Sequence, residues 1–350
     1  MQHGGNITRY QREWGWSREE MVDFSANLNP LGPPVSVMQA IQQALPRIVD
    51  YPDPLGQDVL SALAKKWALP ESHFLLGNGA AELIFLAMRL IRPRRVATVA
   101  PAFREYEQAA RVEGAEIVRV PLTAETGFAV EPEPLMRVLH EVDMLVLANP
   151  NNPTGRCVEP AILDRLLAAA KEMDKWLLVD EAFLDFLPDD ETRSLISQVP
   201  VADKLVVIRS LTKFFAIPGI RIGYVAAAEQ AIPKMRELQI PWSVNTLAQA
   251  AAAAGLADAD FQRSTIEWLQ IEREYLAQRL RDKGYRVVPS DANFLLVQRD
   301  DVEIGKWWPK LAAKGLFVRD CRSFAGLDGT YFRIAVRTRA ENQRLLDALE

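Results

Sequence analysis

The segment MLVLANPNNPTG, residues 144–155, joins a run of five apolar residues to a loop of asparagine, proline, threonine and glycine. A short apolar run without alternation is typical of a strand buried on both faces of a parallel sheet. Two further runs are also followed by polar segments: WLLV (176–179) by DEAF, and KLVVI (204–208) by RSLTK. Because open α/β sheets bind ligands at the carboxyl ends of their strands, we expect these segments to meet at one site.

Segments with helical spacing separate these runs. Helices are predicted over residues 58–67, 80–91, 104–113 and 159–173, and further strands over residues 96–100 and 116–122. Such alternation predicts an α/β fold, namely one doubly wound, mostly parallel sheet over about residues 50–230.

After Pro241, the predicted strands and helices no longer alternate regularly. Strands are predicted over residues 285–288, 293–298, 317–320 and 331–336, and helices over 261–283, near 304–314 and from 339. We therefore predict an N-terminal arm (residues 1–25), a large domain (26–240) and a smaller α+β C-terminal domain (241–350).

Composition excludes several classes of protein. The 350 residues are 49% apolar and 25% charged, as in ordinary globular proteins. The net charge of −5 and the lack of a basic stretch argue against a nucleic-acid partner. No apolar run reaches the roughly 18 residues that span a bilayer, and the first residues lack the apolar core of a secretory signal. Two cysteines, Cys157 and Cys321, predict reduced thiols in a cytoplasmic protein.

Five polar motifs fall at strand-to-helix junctions of the predicted sheet. They are GNGAAE (77–82), NPNNPTG (149–155), DEAF (180–183), RSLTK (209–213) and GIRIGY (219–224). Taken singly, each is equally explained by a turn, a helix cap or a surface lysine. Their common position at one sheet edge predicts a single site.

In this order the motifs resemble those of the fold-type-I enzymes that use pyridoxal 5′-phosphate (PLP), the aspartate aminotransferase superfamily, over nearly the whole chain. The resemblance implies PLP as cofactor, with Lys213 as the catalytic residue that forms a Schiff base with it. Asp180 would pair with the pyridine nitrogen, and Asn152 would bond the 3′-oxygen. A lysine amine suits Schiff-base chemistry, and a neighbouring carboxylate favours the protonated ring that acts as an electron sink.

The resemblance also implies how the rest of the cofactor is held. Its phosphate would be bound by Ser210, Arg221 and the backbone amides of Gly79 and Ala80, at a helix start that suits an anion. Phe103 would stack on the ring. Tyr51 would reach the phosphate of a neighbouring subunit in a homodimer. No metal ion is predicted.

One position departs from the commoner pattern of the superfamily. Three residues after Asp180 the superfamily often has a tyrosine that bonds the 3′-oxygen of the cofactor, whereas this chain has Phe183. Phenylalanine has no hydroxyl, so more of that task would fall to Asn152.

Two branches of the superfamily remain open. The loop NLNPLG (27–32) with NPNNPTG resembles histidinol-phosphate aminotransferases, which use 2-oxoglutarate. Within that branch, the arm HGGNI (3–7) and the segment DEAFLDF (180–186) resemble L-threonine O-3-phosphate decarboxylases of cobalamin biosynthesis. We favour the second reading, which implies (R)-1-amino-2-propanol O-2-phosphate and CO₂ as products. The same residues serve either reaction, because the tilt of the substrate carboxylate selects the bond that breaks.

A small phosphorylated amino acid requires several cationic or N–H donors. Adjacent glycines can form an anion nest, which predicts phosphate binding by the arm. Arg333 matches the arginine with which the superfamily binds its substrates, and Arg337 shares its strand face if residues 331–337 are one strand. The predicted substrate-binding residues are His3, Gly4, Gly5, Asn6, Asn29, Asn152, Arg319, Arg333 and Arg337.

Overall fold

The computed structural model describes residues 4–349. The β-strands are β1 (Val22–Asp23), β2 (Phe74–Gly77), β3 (Arg95–Ala100), β4 (Glu116–Pro121), β5 (Met144–Ala148), β6 (Trp176–Asp180), β7 (Leu205–Ser210), β8 (Gly223–Ala227), β9 (Arg286–Val287), β10 (Phe294–Gln298), β11 (Leu316–Phe317), β12 (Arg319–Asp320) and β13 (Tyr331–Ala335). The α-helices are α1 (Ile7–Trp14), α2 (Val35–Ala44), α3 (Gln57–Trp67), α4 (Ala80–Ile91), α5 (Glu105–Val112), α6 (Pro132–Leu139), α7 (Pro160–Glu172), α8 (Asp190–Arg193), α9 (Leu211–Phe214), α10 (Ala231–Leu238), α11 (Thr246–Ala257), α12 (Ala259–Asp282), α13 (Ile304–Ala312) and α14 (Arg339–Ala348).

Seven strands form the main sheet in the order β2-β8-β7-β6-β5-β3-β4. Strands β7, β6, β5, β3 and β4 pair in parallel, and β8 runs antiparallel to both of its neighbours. The mostly parallel α/β architecture expected from the sequence is confirmed. Sequence reasoning missed β2 and β8: the run FLLG has only four residues, and GYVAA shares its first two residues with the motif GIRIGY.

Helices cover both faces of this sheet. In β5, Leu145 and Leu147 pack into one apolar core, whereas Met144, Val146 and Ala148 pack into a second core on the opposite face. Because both faces are buried, every position of the strand must be apolar. The unalternated run at residues 144–148 is thereby explained.

The C-terminal part of the chain is built on a smaller sheet. Its order is β12-β13-β10-β9, with every neighbouring pair antiparallel. The arm belongs physically to this part, because β1 pairs in parallel with β11 and Tyr10 of α1 stacks on Phe317 with ring centroids 4.0 Å apart. Helix α11 packs against α2 and α3. The three domain boundaries drawn from the sequence stay a prediction.

None of the helices within residues 4–349 combines the length and the apolar character that a membrane span requires.

A buried network of charges ties β6 to β7. The Arg209 side chain is fully buried and lies 2.9 Å from Glu181, 3.2 Å from Asp185 and 3.1 Å from Asp190. Lys66 contributes a second cation, 3.3 Å from Asp190. Removing one member of such a network leaves its partners buried without a counter-charge. The resulting loss of stability exceeds the net stabilisation that the ion pair itself provides.

Arg209→Met is therefore expected to lower the free energy of unfolding by about 3–5 kcal/mol, since it leaves Glu181 uncompensated inside the protein. Urea denaturation followed by circular dichroism measures this. The matched control is Arg279→Met, which removes an exposed arginine 3.9 Å from Asp282 and should cost less than about 1 kcal/mol. Equal losses in the two variants would contradict the role assigned to the network.

Candidate active site

The carboxyl ends of β5, β6 and β7 meet at one cavity, as the sheet topology requires. Asn152 lies in the loop after β5, Asp180 ends β6, and Lys213 lies in α9 directly after β7. The cavity is lined by Ala80, Ala81, Phe103, Tyr106, Ala148, Pro150, Asn152, Asp180, Ala182, Phe183, Lys213 and Arg221. The structure thus brings together the lysine, the aspartate and the asparagine that the sequence motifs selected.

Lys213 is the amine of this cavity. Its Nζ donates a hydrogen bond to Ser210 Oγ at 3.0 Å and lies 5.5 Å from the centre of the Phe183 ring. Loss of bulk water around the ammonium group lowers the pKa of Lys213 to about 8, although the charge of Asp180 opposes this effect. A lysine with such a pKa is partly neutral near physiological pH and can act as a nucleophile or base.

Asp180 is a buried carboxylate with two protein donors. Tyr106 donates its hydroxyl hydrogen to Oδ2 at 2.7 Å, and the amide of Ala182 donates to Oδ1 at 3.0 Å. Burial raises the pKa of Asp180, while the charge of Lys213 and the Tyr106 hydrogen bond pull that pKa down. Sequence reasoning missed Tyr106, although its spacing of one helical turn from Phe103 was a usable signal.

The opposite end of the cavity has the donors of an anion site. Ala80 begins the twelve-residue helix α4, whose first N–H groups have no intrahelical partners. Arg221 lies beside this helix start, and a side chain at Gly79 would collide with its guanidinium group. Gly79 also has a φ of +81°, a backbone conformation that favours glycine. The Ser210 hydroxyl lies 3.0 Å from Thr212 Oγ1.

A second cavity opens next to the first. The two cavities share Phe103, Asn152, Phe183 and Lys213. The other lining residues of the second cavity are Gly4, Ser25, Ala26, Asn27, Leu28, Arg104, Glu105, Arg319, Ser323, Phe324 and Arg333. The second cavity, which is the larger of the two, therefore extends from the Lys213 amine towards the C-terminal sheet.

Two buried arginines face this second cavity from neighbouring strands. Arg319 and Arg333 are opposite each other in the β12–β13 ladder. Arg333 donates to Asn152 Oδ1 and, at 2.7 Å, to the carbonyl oxygen of Ser25. Burial lowers the pKa of Arg333 to about 10 and also lowers the pKa of Arg319, which donates to Ser323 Oγ at 2.8 Å. Two such cations side by side suit an anionic ligand.

The structure does not place Arg337 in either cavity. Strand β13 ends at Ala335, so the prediction that Arg333 and Arg337 share a strand face is wrong. The Arg337 guanidinium instead lies 2.7 Å from Glu341 in the first turn of α14. Its role as a substrate ligand has no support in this geometry.

Asn29, predicted as a substrate ligand, lines neither the first nor the second cavity, whereas Asn27 lines the second. The side-chain nitrogen of Asn29 donates to the carbonyl of Phe214 at 3.0 Å and to the Thr265 hydroxyl at 3.2 Å. Asn29 thereby contacts α9, the helix that carries Lys213. Asn27 lines the second cavity, and its buried Oδ1 has no hydrogen-bond partner among the described residues. Loop periodicity offers no signal for choosing between two asparagines that are two residues apart.

The arm reaches the second cavity through Gly4. A side chain at Gly4 would collide with the backbone of Ser25, so the close approach requires glycine. Gly5 donates its amide hydrogen to Ser25 Oγ at 2.9 Å, and Asn6 caps α1 by accepting from the amide of Arg9. The Gly5 amide hydrogen and the Asn6 side-chain oxygen are thus used within the protein, and phosphate binding by the arm stays a prediction. His3 lies outside the described residues.

Tyr51 does not line the cavities of its own chain. It is 77% exposed and stacks on Trp242 with ring centroids 4.4 Å apart. Phe103, in contrast, lines both cavities and packs edge-on against Tyr106.

The chain is similar in sequence and in fold to proteins of known family. A family model described as aminotransferase class I and II matches residues 19–349. The chain is 38% identical to the threonine-phosphate decarboxylase of Salmonella typhimurium over 99% of this chain and 95% of that protein, and 33% identical to the histidinol-phosphate aminotransferase of Moorella thermoacetica over 99% and 88%. The crystal structure of L-threonine-O-3-phosphate decarboxylase from Porphyromonas gingivalis superposes with a TM-score of 0.81 at 26% identity, covering 93% of this chain and 97% of that one.

The pKa of Lys213 can be measured by its reactivity. Acetic anhydride modifies only the neutral amine, so acetylation of Lys213 in the ligand-free protein should rise with pH with a midpoint at about 8. Asp180→Asn removes a negative charge that favours the ammonium form, and the midpoint should then move to lower pH. Mass spectrometry of the peptide containing residue 213 gives both values. A midpoint near the ordinary lysine pKa of 10.5 would contradict the environment described here.

Proposed function

This chain belongs to the aminotransferase class I and II family, and we propose that it is a PLP-dependent lyase that decarboxylates L-threonine O-3-phosphate. The products are (R)-1-amino-2-propanol O-2-phosphate and CO₂. The observation that carries the proposal is the pair of buried arginines, Arg319 and Arg333, in a cavity that also contains Lys213. A substrate with both a carboxylate and a phosphate matches two cationic sites, and the identity to a threonine-phosphate decarboxylase along the whole chain supports the same reading.

The residues of the first cavity fit PLP. Lys213 supplies the amine for the aldehyde, and Asp180 supplies a buried carboxylate for the ring nitrogen. Arg221 and the free N–H groups at the start of α4 supply donors for the phosphate, where the missing side chain of Gly79 leaves the space. We propose that Asn152 bonds the 3′-oxygen, that Phe103 packs on the ring face and that Ser210 binds the phosphate.

When bound, PLP supplies a protonated ring that accepts the electron pair of the bond broken at the substrate Cα. The protein residues then determine which bond that is. Arg319 and Arg333 hold the two anionic groups, and Asn27 offers its free carbonyl oxygen to an N–H or O–H donor. We expect these contacts to present the bond to the carboxylate for cleavage, so that CO₂ would leave instead of the α-hydrogen.

A proton must return to Cα after CO₂ has left. The Lys213 Nζ lies at the junction of the two cavities, with Ser210 Oγ as its hydrogen-bond partner at 3.0 Å. Its lowered pKa, about 8, allows it both to hold and to release a proton near neutrality. Lys213 is therefore the proposed proton donor.

The alternative function is transamination of histidinol phosphate with 2-oxoglutarate. It is favoured by the resemblance of NPNNPTG and of the Asn27–Gly32 loop to that branch, and by the 33% identity to one such enzyme. An imidazole requires more room than the methyl group of threonine, so the shape of the second cavity, which Phe183 and Phe324 help to line, discriminates between the two substrates. With the decarboxylase activity we also propose a role in cobalamin biosynthesis.

We propose that the enzyme is a homodimer in which Tyr51 completes the cofactor site of the other subunit. Tyr51 touches neither cavity of its own chain, yet it is exposed and stacks on Trp242. Ile48 and Val49, close to Tyr51 in sequence, and Ile240, close to Trp242, are exposed as well, and large exposed apolar surfaces often mark interfaces. The two unpaired cysteines support the proposal of a cytoplasmic location.

The proposed reaction is tested by giving PLP-loaded protein O-phospho-L-threonine alone. CO₂ and aminopropanol phosphate should form in equal amounts without any keto acid. In parallel, histidinol phosphate with 2-oxoglutarate should give no glutamate. Formation of glutamate without CO₂ would replace the proposal by the aminotransferase. Lys213→Ala should abolish both the visible absorbance of the bound cofactor and the activity, whereas Lys171→Ala, at the exposed end of α7, should change neither.

Complementation tests the shared site. The Lys213→Ala and Tyr51→Ala chains are co-expressed with different affinity tags, and the hybrid dimer is purified. In a two-fold symmetric dimer with crossed Tyr51, one hybrid site carries both native residues, so about half of the wild-type activity should return. A hybrid no more active than the better of the two parent variants would contradict the crossed arrangement.

A further inference from the structure

The buried hydroxyl of Tyr106 is the polar group of the first cavity that the proposed reaction leaves unused. Tyr106 is 1% exposed and lies in the first turn of α5. Its hydroxyl donates to Asp180 Oδ2 at 2.7 Å, while the amide of Ala182 donates to Oδ1 at 3.0 Å. Each oxygen of the carboxylate is thus held by a different element, and the orientation of the carboxyl plane is set.

The same hydroxyl helps to keep that carboxylate charged. Burial alone favours the neutral acid, and three nearby groups oppose this: the ammonium group of Lys213, the hydrogen bond from Tyr106 and the hydrogen bond from the Ala182 amide. Lys213 is the reacting group of the site, so its charge and position change during turnover. Burial and the nearby carboxylate of Asp180 raise the pKa of Tyr106 well above that of an ordinary tyrosine, so its hydroxyl keeps its proton and donates throughout.

The ring of Tyr106 contributes a second contact. Phe103 packs edge-on against it, with ring centroids 5.6 Å apart and an interplanar angle of 74°. Phe103 forms a wall of both cavities. On its other side Tyr106 packs into the apolar core beneath the sheet, with Ala109 and Ala110. One rigid side chain therefore supports the carboxylate and the aromatic wall together.

We propose that Tyr106 is a positioning residue for the cofactor: its hydroxyl holds Asp180 ionised and in one orientation, and thereby keeps the ring nitrogen of PLP protonated. The inference rests on the proposed use of PLP and is independent of which substrate the enzyme decarboxylates or transaminates.

Tyr106→Phe tests this inference, because it removes the hydroxyl and keeps the ring. Because a hydrogen bond to a charged group stabilises that group strongly, its loss should lower the affinity for PLP about tenfold. The affinity is measured by titration of the visible absorbance. With PLP labelled by ¹⁵N in the ring, the nitrogen resonance should move towards that of the unprotonated pyridine. Thermal unfolding of the cofactor-free variant shows that the fold is intact.

The matched control is Tyr224→Phe. It also removes a buried tyrosine hydroxyl, which here accepts a hydrogen bond from Trp67 Nε1 at 3.0 Å and lines neither cavity. Its PLP affinity and ¹⁵N resonance should equal those of the wild type.

A double variant separates positioning from general structural damage. In an Asp180→Asn background, Tyr106→Phe should cause no further loss of PLP affinity, because its effect passes through the carboxylate. Additive losses, or an unchanged ¹⁵N resonance in Tyr106→Phe, would overturn the inference. A wild type that binds PLP but releases no CO₂ would overturn the decarboxylase proposal alone, and a wild type that binds no PLP would overturn both.

Discussion

The site depends on keeping a carboxylate and an amine together at an edge of a sheet that is buried on both faces. Asp180 and Lys213 follow neighbouring strands and are both removed from bulk water, which disfavours the charged form of each. Burial raises the pKa of Asp180 and lowers the pKa of Lys213, and the attraction between the two charges opposes both shifts. Parallel pairing of β6 with β7 imposes this proximity, because it brings their carboxyl ends to the same edge.

Two sets of contacts support that pair. Behind the sheet edge, Arg209 and Glu181, each adjacent in sequence to a site residue, form a buried ion pair that joins β6 to β7. In front of it, Tyr106 holds Asp180 from α5. Buried polar networks of this kind restrict a site to one arrangement when every member has a partner. The cavity is therefore preorganised by contacts between protein residues.

The second cavity, which we propose to hold the substrate, depends on residues from a different sheet. Arg333 of β13 contacts Asn152 in the loop after β5 and the carbonyl of Ser25, which is 308 residues distant in the chain. Ser25 in turn accepts a hydrogen bond from Gly5 of the arm. The anion site thus exists only where the arm, the large sheet and the C-terminal sheet meet, which explains why the arm could not be interpreted from its own glycines.

The sequence by itself determined the architecture and the centre of the site, because strand burial and strand ends leave local patterns. The apolar run 144–148 and the motifs around Asp180 and Lys213 are local in this sense. Only the tertiary structure distinguished Asn27 from Asn29, removed Arg337 from the site by ending β13 at Ala335, and added Tyr106. Whether a polar side chain faces a cavity depends on its partners in distant elements. Asn29 has such a partner in Phe214, 185 residues along the chain, whereas Arg337 pairs with Glu341 only four residues further on.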